Sequence, residues 1–203
     1  MKLIIWLLDL NEETTQGRTE IHLWAHTNEG NSTLVIDRNL QPYIYLLLNG
    51  EKSLNEVVEA VGKVTQNQIE KIEPVQRRYY GREVEALKLT VKNTEIINKY
   101  ASYLAKLPGV REVLEDDLRH SQRYLIHYQA RPCHWHEIEV KEAERRFTAG
   151  VDYVYEALSP PSPLQLDVPP HLRILAFHMI CYSQRGTPRP ERDPVTIIST
   201  STN

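Results

Sequence analysis

Three groups of side chains in this sequence are of types that bind ligands or do chemistry. Cys133, His134 and His136 sit together in the run Arg131 to Val140 (RPCHWHEIEV) and are potential metal donors. They are too few and too close for a zinc cluster, and no second ligand pair stands at a suitable spacing. A surface loop beside a buried Trp135 accounts for them. The second group is Arg77, Arg78 and Arg82, in Gln76 to Arg82 (QRRYYGR), together with Arg119. Clustered guanidinium groups contact phosphates and give salt-dependent affinity for a nucleic-acid backbone, although a solvated basic link has the same composition. The third is a pair of stretches, Ile36 to Tyr45 (IDRNLQPYIY) and Asp117 to Ile126 (DLRHSQRYLI). Each is a charged, polar turn leading into an apolar run that carries tyrosine.

The elements that hold these groups follow from periodicity and turn chemistry. Leu3 to Leu10, Thr19 to Ala25 and Thr33 to Asp37 alternate or run apolar between polar turns, so the first forty residues are expected to be a three-stranded meander. Pro42 fixes its own φ and biases Gln41 toward an extended backbone, and Tyr43 to Leu48 then reads as a strand buried on both faces. Ser53 with Glu56 has the capping-box spacing for a helix Leu54 to Val61, ended by Gly62. Gln68 to Val75 is a strand, Gln76 to Arg82 a link and Val84 to Val91 a strand. Thr94 caps a helix Glu95 to Leu107, Pro108-Gly109 stops it, and Val110 to Leu114 is a fourth strand. This order, β-α-β-β-α-β, is the ferredoxin-like arrangement shared by RNA-recognition modules. The strand motif of those modules, a basic residue followed by Gly-aromatic-Gly-Phe, is absent, which weighs against generic RNA recognition. Leu118 to Tyr128 reads as irregular before an extended RYLI run. Residues 159–170 (SPPSPLQLDVPP) form a Pro-rich linker, and after it come a buried strand, His171 to Ile180, and a last strand, Pro194 to Ser199.

The 203 residues are 41% hydrophobic and 25% charged with a net charge of −3, enough apolar content for a core and too acidic for a wholesale nucleic-acid coat protein. Any nucleic-acid site is therefore a local basic patch. No signal peptide and no membrane-length run are evident, and Cys133 and Cys181 read as free thiols, so a cytoplasmic protein without a cofactor is expected.

Taken together, these motifs resemble the N-terminal region of archaeal family B DNA polymerases. They are Asp37-Arg38-x-x-x-Pro42-Tyr43-x-Tyr45, Tyr80-Gly81-Arg82, the stretch ending Arg123-Tyr124-Leu125-Ile126, and Leu175-Ala176-Phe177. The loop from Arg185-Gly186-Thr187-Pro188 through Arg192-Asp193-Pro194-Val195 is similar to one in crenarchaeal members. The resemblance covers the whole chain in order. It implies an α+β protein, with an N-terminal meander and ferredoxin-like unit over 1–158, the linker 159–170, and over 171–203 the start of an RNase H-like exonuclease sheet. In active relatives Phe177 is followed by Asp-x-Glu, the first metal-binding carboxylates of the exonuclease. Here His178 and Ile180 occupy those positions, and neither replaces an anionic oxygen ligand. The sequence also ends before any further exonuclease carboxylate and before any palm or finger segment, so no enzyme activity is expected.

In the family this domain captures uracil in single-stranded template DNA. Carried over by position, the pocket comprises Pro42, Tyr43, Ile97, Leu118, His120 and Arg123, while Arg77, Arg78, Arg82 and Arg119 are candidate DNA-backbone contacts from their clustering alone. Ile97 replaces a smaller Val, His120 a Phe, and Glu12 stands where relatives often carry Tyr. Pro42, Tyr43, Ile97 and Leu118 also suit a core, and Arg123 an ion pair with Asp116 or Asp117. The implied partners are uracil-containing single-stranded DNA and a DNA polymerase or another replication or repair protein, with no membrane. The alternative is an accessory subunit that docks on a polymerase without reading bases.

Overall fold

A computed structural model describes residues 1–143, 150–166, 168–184 and 186–203. The chain divides into two units, Met1–Pro169 and Pro170–Asn203. Among the described residues no helix is long and apolar enough to cross a membrane.

The expected meander is present as β1 (Lys2–Thr15), β2 (Arg18–Thr27) and β3 (Ser32–Asp37). β1 runs five residues past Leu10, because Gln16 and Gly17, at φ 52° and 75°, make the two-residue turn whose twist matches a long hairpin. The meander closes on itself through two later strands, β8 (His134–Glu142) and β9 (Tyr153–Ala157). β9 pairs parallel with β3 from Thr33↔Tyr153, β8 pairs antiparallel with β9, and β8 returns antiparallel to β1 from Lys2↔Glu139. The circuit β1-β2-β3-β9-β8-β1, with its one parallel closure, is the order of an OB-type barrel. Inward residues such as Ile5, Leu7, Leu23, Val35, Ile138 and Val140 fill it, each no more than 1% exposed.

Between β3 and β8 the chain makes the expected six-element unit: β4 (Tyr43–Leu48), α1 (Leu54–Val64), β5 (Ile69–Tyr79), β6 (Arg82–Val91), α2 (Thr94–Leu104) and β7 (Val110–Leu114). The sheet order β5-β6-β4-β7, antiparallel throughout, is the ferredoxin-like one. Ser53 and Glu56 form a complete capping box. Gly62 lies inside α1, which runs on to Val64, and Asn93 rather than Thr94 caps α2. Ile44 and Leu46 point to the helices, while Tyr43 and Tyr45 enter the barrel-side core, so β4 is buried on both faces as expected. The basic link is corrected: residues 76–79 continue β5, and Tyr80-Gly81 is a tight hairpin turn.

Two further corrections concern unit 1. Residues 120–128, expected to be irregular and then extended, form helix α3 (His120–Tyr128). Its buried face, His120, Arg123 and Tyr124, recurs at helical spacing, and Tyr124 meets Tyr128 one turn on at 4.9 Å. The segment read as an extended, Pro-rich linker is laid along β8. Ser162–Pro163 forms the short edge strand β10, Leu164 N–H donates to Trp135 O at 2.8 Å, and Trp135 Nε1 donates to Val168 O at 2.7 Å. Proline is tolerated there because the strand is an edge.

The second unit contains one antiparallel hairpin, β11 (Leu175–Cys181) and β12 (Val195–Thr202). The first strand was expected to be buried. Instead Leu175, Phe177 and Met179 are each at least half exposed, because among its described residues this unit has no third strand or second layer of its own to cover them.

Candidate nucleic-acid interface

The motif after β3 is built around a buried carboxylate. Asp37 Oδ1 accepts from the Asn39 backbone N–H and from Asn39 Nδ2, both at 2.7 Å, and Oδ2 accepts from the Tyr124 hydroxyl. Burial pushes the Asp37 carboxyl up, against the pull of these donors, and burial beside Asp37 pushes the Tyr124 hydroxyl up too. Arg38 is tied to the buried Glu20 at 2.8 Å and to Glu156 at 3.1 Å. Asp37 and Arg38 therefore lock the turn, α3 and the barrel together.

The chain then presents Pro42 and Tyr43 to the core. Tyr43 is 8% exposed, with the Arg123 guanidinium 4.0 Å and Lys88 Nζ 4.2 Å from its ring centroid. Arg123, 3% exposed, pairs with the Glu115 carboxylate and donates to Glu115 O at 2.9 Å, so its partner is Glu115 rather than Asp116 or Asp117. Such a charge-assisted, cation–π-stacked arginine fixes the start of α3 on β4.

Of the six expected pocket residues, the structure brings Ile97, Leu118 and His120 around one cavity of about 140 Å³. Glu12, Thr94, Asp116, Asp117 and Arg119 share its lining. Pro42, Tyr43 and Arg123 are buried and do not line it. Glu12 Oε2 accepts the Ser121 N–H at 2.7 Å, in the first turn of α3, where a free amide and the helix dipole favour an anion. His120 Nε2 lies 3.1 Å from Leu40 O and so carries the proton, which leaves Nδ1 a buried acceptor with no partner among the described residues. Burial holds the His120 pKa below the usual histidine range, so the ring is neutral. The cavity thus carries a neutral aromatic ring, two aliphatic walls and more carboxylates than cations. It suits an uncharged ring with donor groups, and it repels phosphate.

The four candidate backbone arginines separate. Arg77 donates to the Tyr45 hydroxyl at 2.9 Å and lies 4.9 Å from that ring's centroid, which makes it part of the sheet's packing. Arg78, Arg82 and Arg119 are exposed, and among the described residues their side chains have no ion-pair or hydrogen-bond partner. Cys133 is exposed, while fully buried His136 is spent locally: Nε2 accepts from the Arg131 N–H at 3.1 Å and Nδ1 faces His134 O at 3.0 Å. Among the described residues no three metal-binding side chains converge. Sequence reasoning missed the bond from Glu12 to α3, because a helix read as loop has no N-terminus to cap.

An OB-type barrel carrying a ferredoxin-like insertion combines two architectures that recur in single-stranded nucleic-acid binding. The comparisons with known proteins narrow this class. The chain is 32% identical to DNA polymerase 2 of Aeropyrum pernix over 95% of its own length, and 28% identical to DNA polymerase 3 of Saccharolobus solfataricus over 96%. It is 27% identical to a DNA polymerase of Archaeoglobus fulgidus over 98%. The family B DNA polymerase of Pyrobaculum calidifontis superposes with a TM-score of 0.79 at 29% identity, covering 98% of this chain. Along nearly its whole length, the chain is a homologue of the N-terminal region of archaeal family B DNA polymerases. It spans about a quarter of the length of these relatives, 25%, 25% and 24% of the three polymerase sequences and 25% of the solved chain. No family model matches it. The similarity supports a DNA-related role.

Proposed function

We propose that this chain is a non-catalytic single-stranded DNA-binding protein whose small pocket reads a single base, uracil in the template-sensing sense of its relatives. The observation that carries the reading is the convergence of Ile97, Leu118 and His120, from α2, the loop after β7 and α3, on one cavity beside the amides of a helix N-terminus. At about 140 Å³ it lies well below the roughly 300–1,000 Å³ of drug-sized ligand sites, which favours one ring over a whole nucleotide. Ile97 and Leu118 act on the thymine methyl as a steric wall, since apolar contact alone would favour that methyl. A methyl is worth roughly 1–3 kcal/mol in such a pocket, or about 10- to 200-fold in affinity. The non-catalytic part rests on His178 and Ile180, which stand where two carboxylates are needed to hold metal ions.

The test is a fluorescence-anisotropy titration of the full chain with strands that differ by one uracil for thymine, at two salt concentrations. Tighter binding to uracil, abolished by filling the cavity with Leu118→Trp at unchanged melting temperature, supports the reading. Equal affinity for the two strands sinks base recognition.

A second reading, a subunit that docks on a polymerase polypeptide, draws on the exposed apolar side chains of β11–β12. Light scattering of the chain with and without a family B polymerase decides it, and a monomer that ignores the polymerase counts against it.

A further inference from the structure

We propose that the tip of the β5–β6 hairpin is a second contact for single-stranded DNA, in which Tyr80 stacks on a base and Arg78 and Arg82 take the adjoining phosphates. The inference rests on the reading that the chain binds single-stranded DNA, and it places a contact outside the base pocket. The starting observation is conformational. Tyr80 and Gly81 form the two-residue turn with φ of 46° and 78°, a backbone for which Asn-Gly, Asp-Gly or Gly-Gly is strongly preferred. A tyrosine with positive φ is uncommon, and its ring, 89% exposed, recovers little packing in return. Strain held at an exposed aromatic residue points to a function for that residue.

The surroundings say which function. Tyr79 is fixed: its hydroxyl donates to Glu112 at 2.6 Å, which pushes its pKa up to about 12, and Arg111 lies 5.7 Å from its ring centroid. Tyr80 rests edge-on against that anchored ring, 4.6 Å between centroids at 78°. Its own faces are left open at a preset orientation. Arg78 and Arg82 lie two residues to either side, exposed and without side-chain partners among the described residues. Glu83, directly across from Arg78 in the register, makes no ion pair with it. An open aromatic face between unpaired guanidinium groups is how proteins hold single strands without reading sequence.

The experiment uses the full chain, a labelled all-thymine strand and a base-free strand of the same length. Tyr80→Asn removes the ring and installs a residue the turn prefers, so the melting temperature is held or raised. Affinity for the all-thymine strand is expected to fall by roughly five- to a hundredfold, while the base-free strand loses nothing and Tyr80→Phe binds as the parent does. Arg78→Gln and Arg82→Gln are each expected to flatten the dependence of log affinity on log salt by about 0.7. Unchanged all-thymine binding by Tyr80→Asn overturns the proposal, as does equal loss on the base-free strand or no binding by the parent at low salt. The uracil reading is scored separately, from the uracil-minus-thymine difference, which Tyr80→Asn leaves intact.

Discussion

Glu12 is the residue on which the pocket turns. Its carboxylate holds the Ser121 amide at 2.7 Å and lines the cavity beside Asp116 and Asp117. It therefore stabilises α3 while adding negative charge to the cavity proposed to take the base. Glu12→Gln keeps an acceptor oxygen for Ser121 and removes the charge, so the two effects separate. Stability is expected to fall by less than about 1 kcal/mol, the worth of a carboxylate at a helix N-terminus. Affinity for a uracil-containing strand at low salt is expected to rise several-fold, since charges a few ångströms apart near a surface interact at the level of about a kcal/mol or more. Urea melts and anisotropy on the same protein check both, and a variant that binds more weakly refutes the repulsive role. The sequence shows Glu12 only as a misfit to its family. The misfit becomes an interaction once residues 120–128 are known to be helical. Arg123 is a similar case: its type suggests a ligand contact, yet at 3% exposure it is a bracket between Tyr43 and Glu115.

At the scale of elements, those with local signals were legible. The capping box opening α1 and the alternation in β2 are short-range patterns, and both form as expected. α3 was not, because a three-residue apolar run, Tyr124 to Ile126, does not distinguish strand from helix, and its N-cap, Arg119, makes no side-chain capping bond. The β5–β6 turn was missed for a related reason, since Tyr-Gly is a poor hairpin signal. The loop into β7 shows a glycine that geometry requires. Gly109 has φ 92°, and a Cβ there would come within 2.8 Å of Lys52 Cβ and Val57 Cγ2. Gly50 has φ 78° with nothing within 4 Å of its would-be Cβ. Gly50→Ala is therefore expected to cost about 1 kcal/mol from backbone strain alone, and Gly109→Ala clearly more, about 2–4 kcal/mol, because β7 must also move off α1. Denaturant unfolding of the pair isolates the steric part, and equal losses would rule it out.

Across the whole molecule, barrel closure was the least legible feature, since it joins β3 to a strand more than a hundred residues later and no local pattern announces that partnership. The same closure buries titratable side chains, which gives unit 1 a pH signature. His136, on β8, and His120, on α3, are both held below the usual histidine range, mainly by burial. In the unfolded chain each binds a proton at about pH 6.5. In the fold the His136 ring must stay neutral, because its Nε2 accepts from the Arg131 N–H, and His120 has only one ring nitrogen near an acceptor. The unfolded state therefore holds more protons below this pH, so the stabilising contribution is full above about 6.5 and drains as pH falls. Each site adds a slope of up to about 1.4 kcal/mol per pH unit. Urea midpoints measured from pH 7.5 down to 5 should fall, and His136→Gln, which cannot titrate, should be less stable at neutral pH and show a shallower decline. The window lies above the ordinary carboxylate range, where Glu20 and Glu156, both lowered by their partners, would begin to lose those partners. A decline that begins only near pH 4 would therefore assign the acid sensitivity to this carboxylate network and remove it from the barrel histidines.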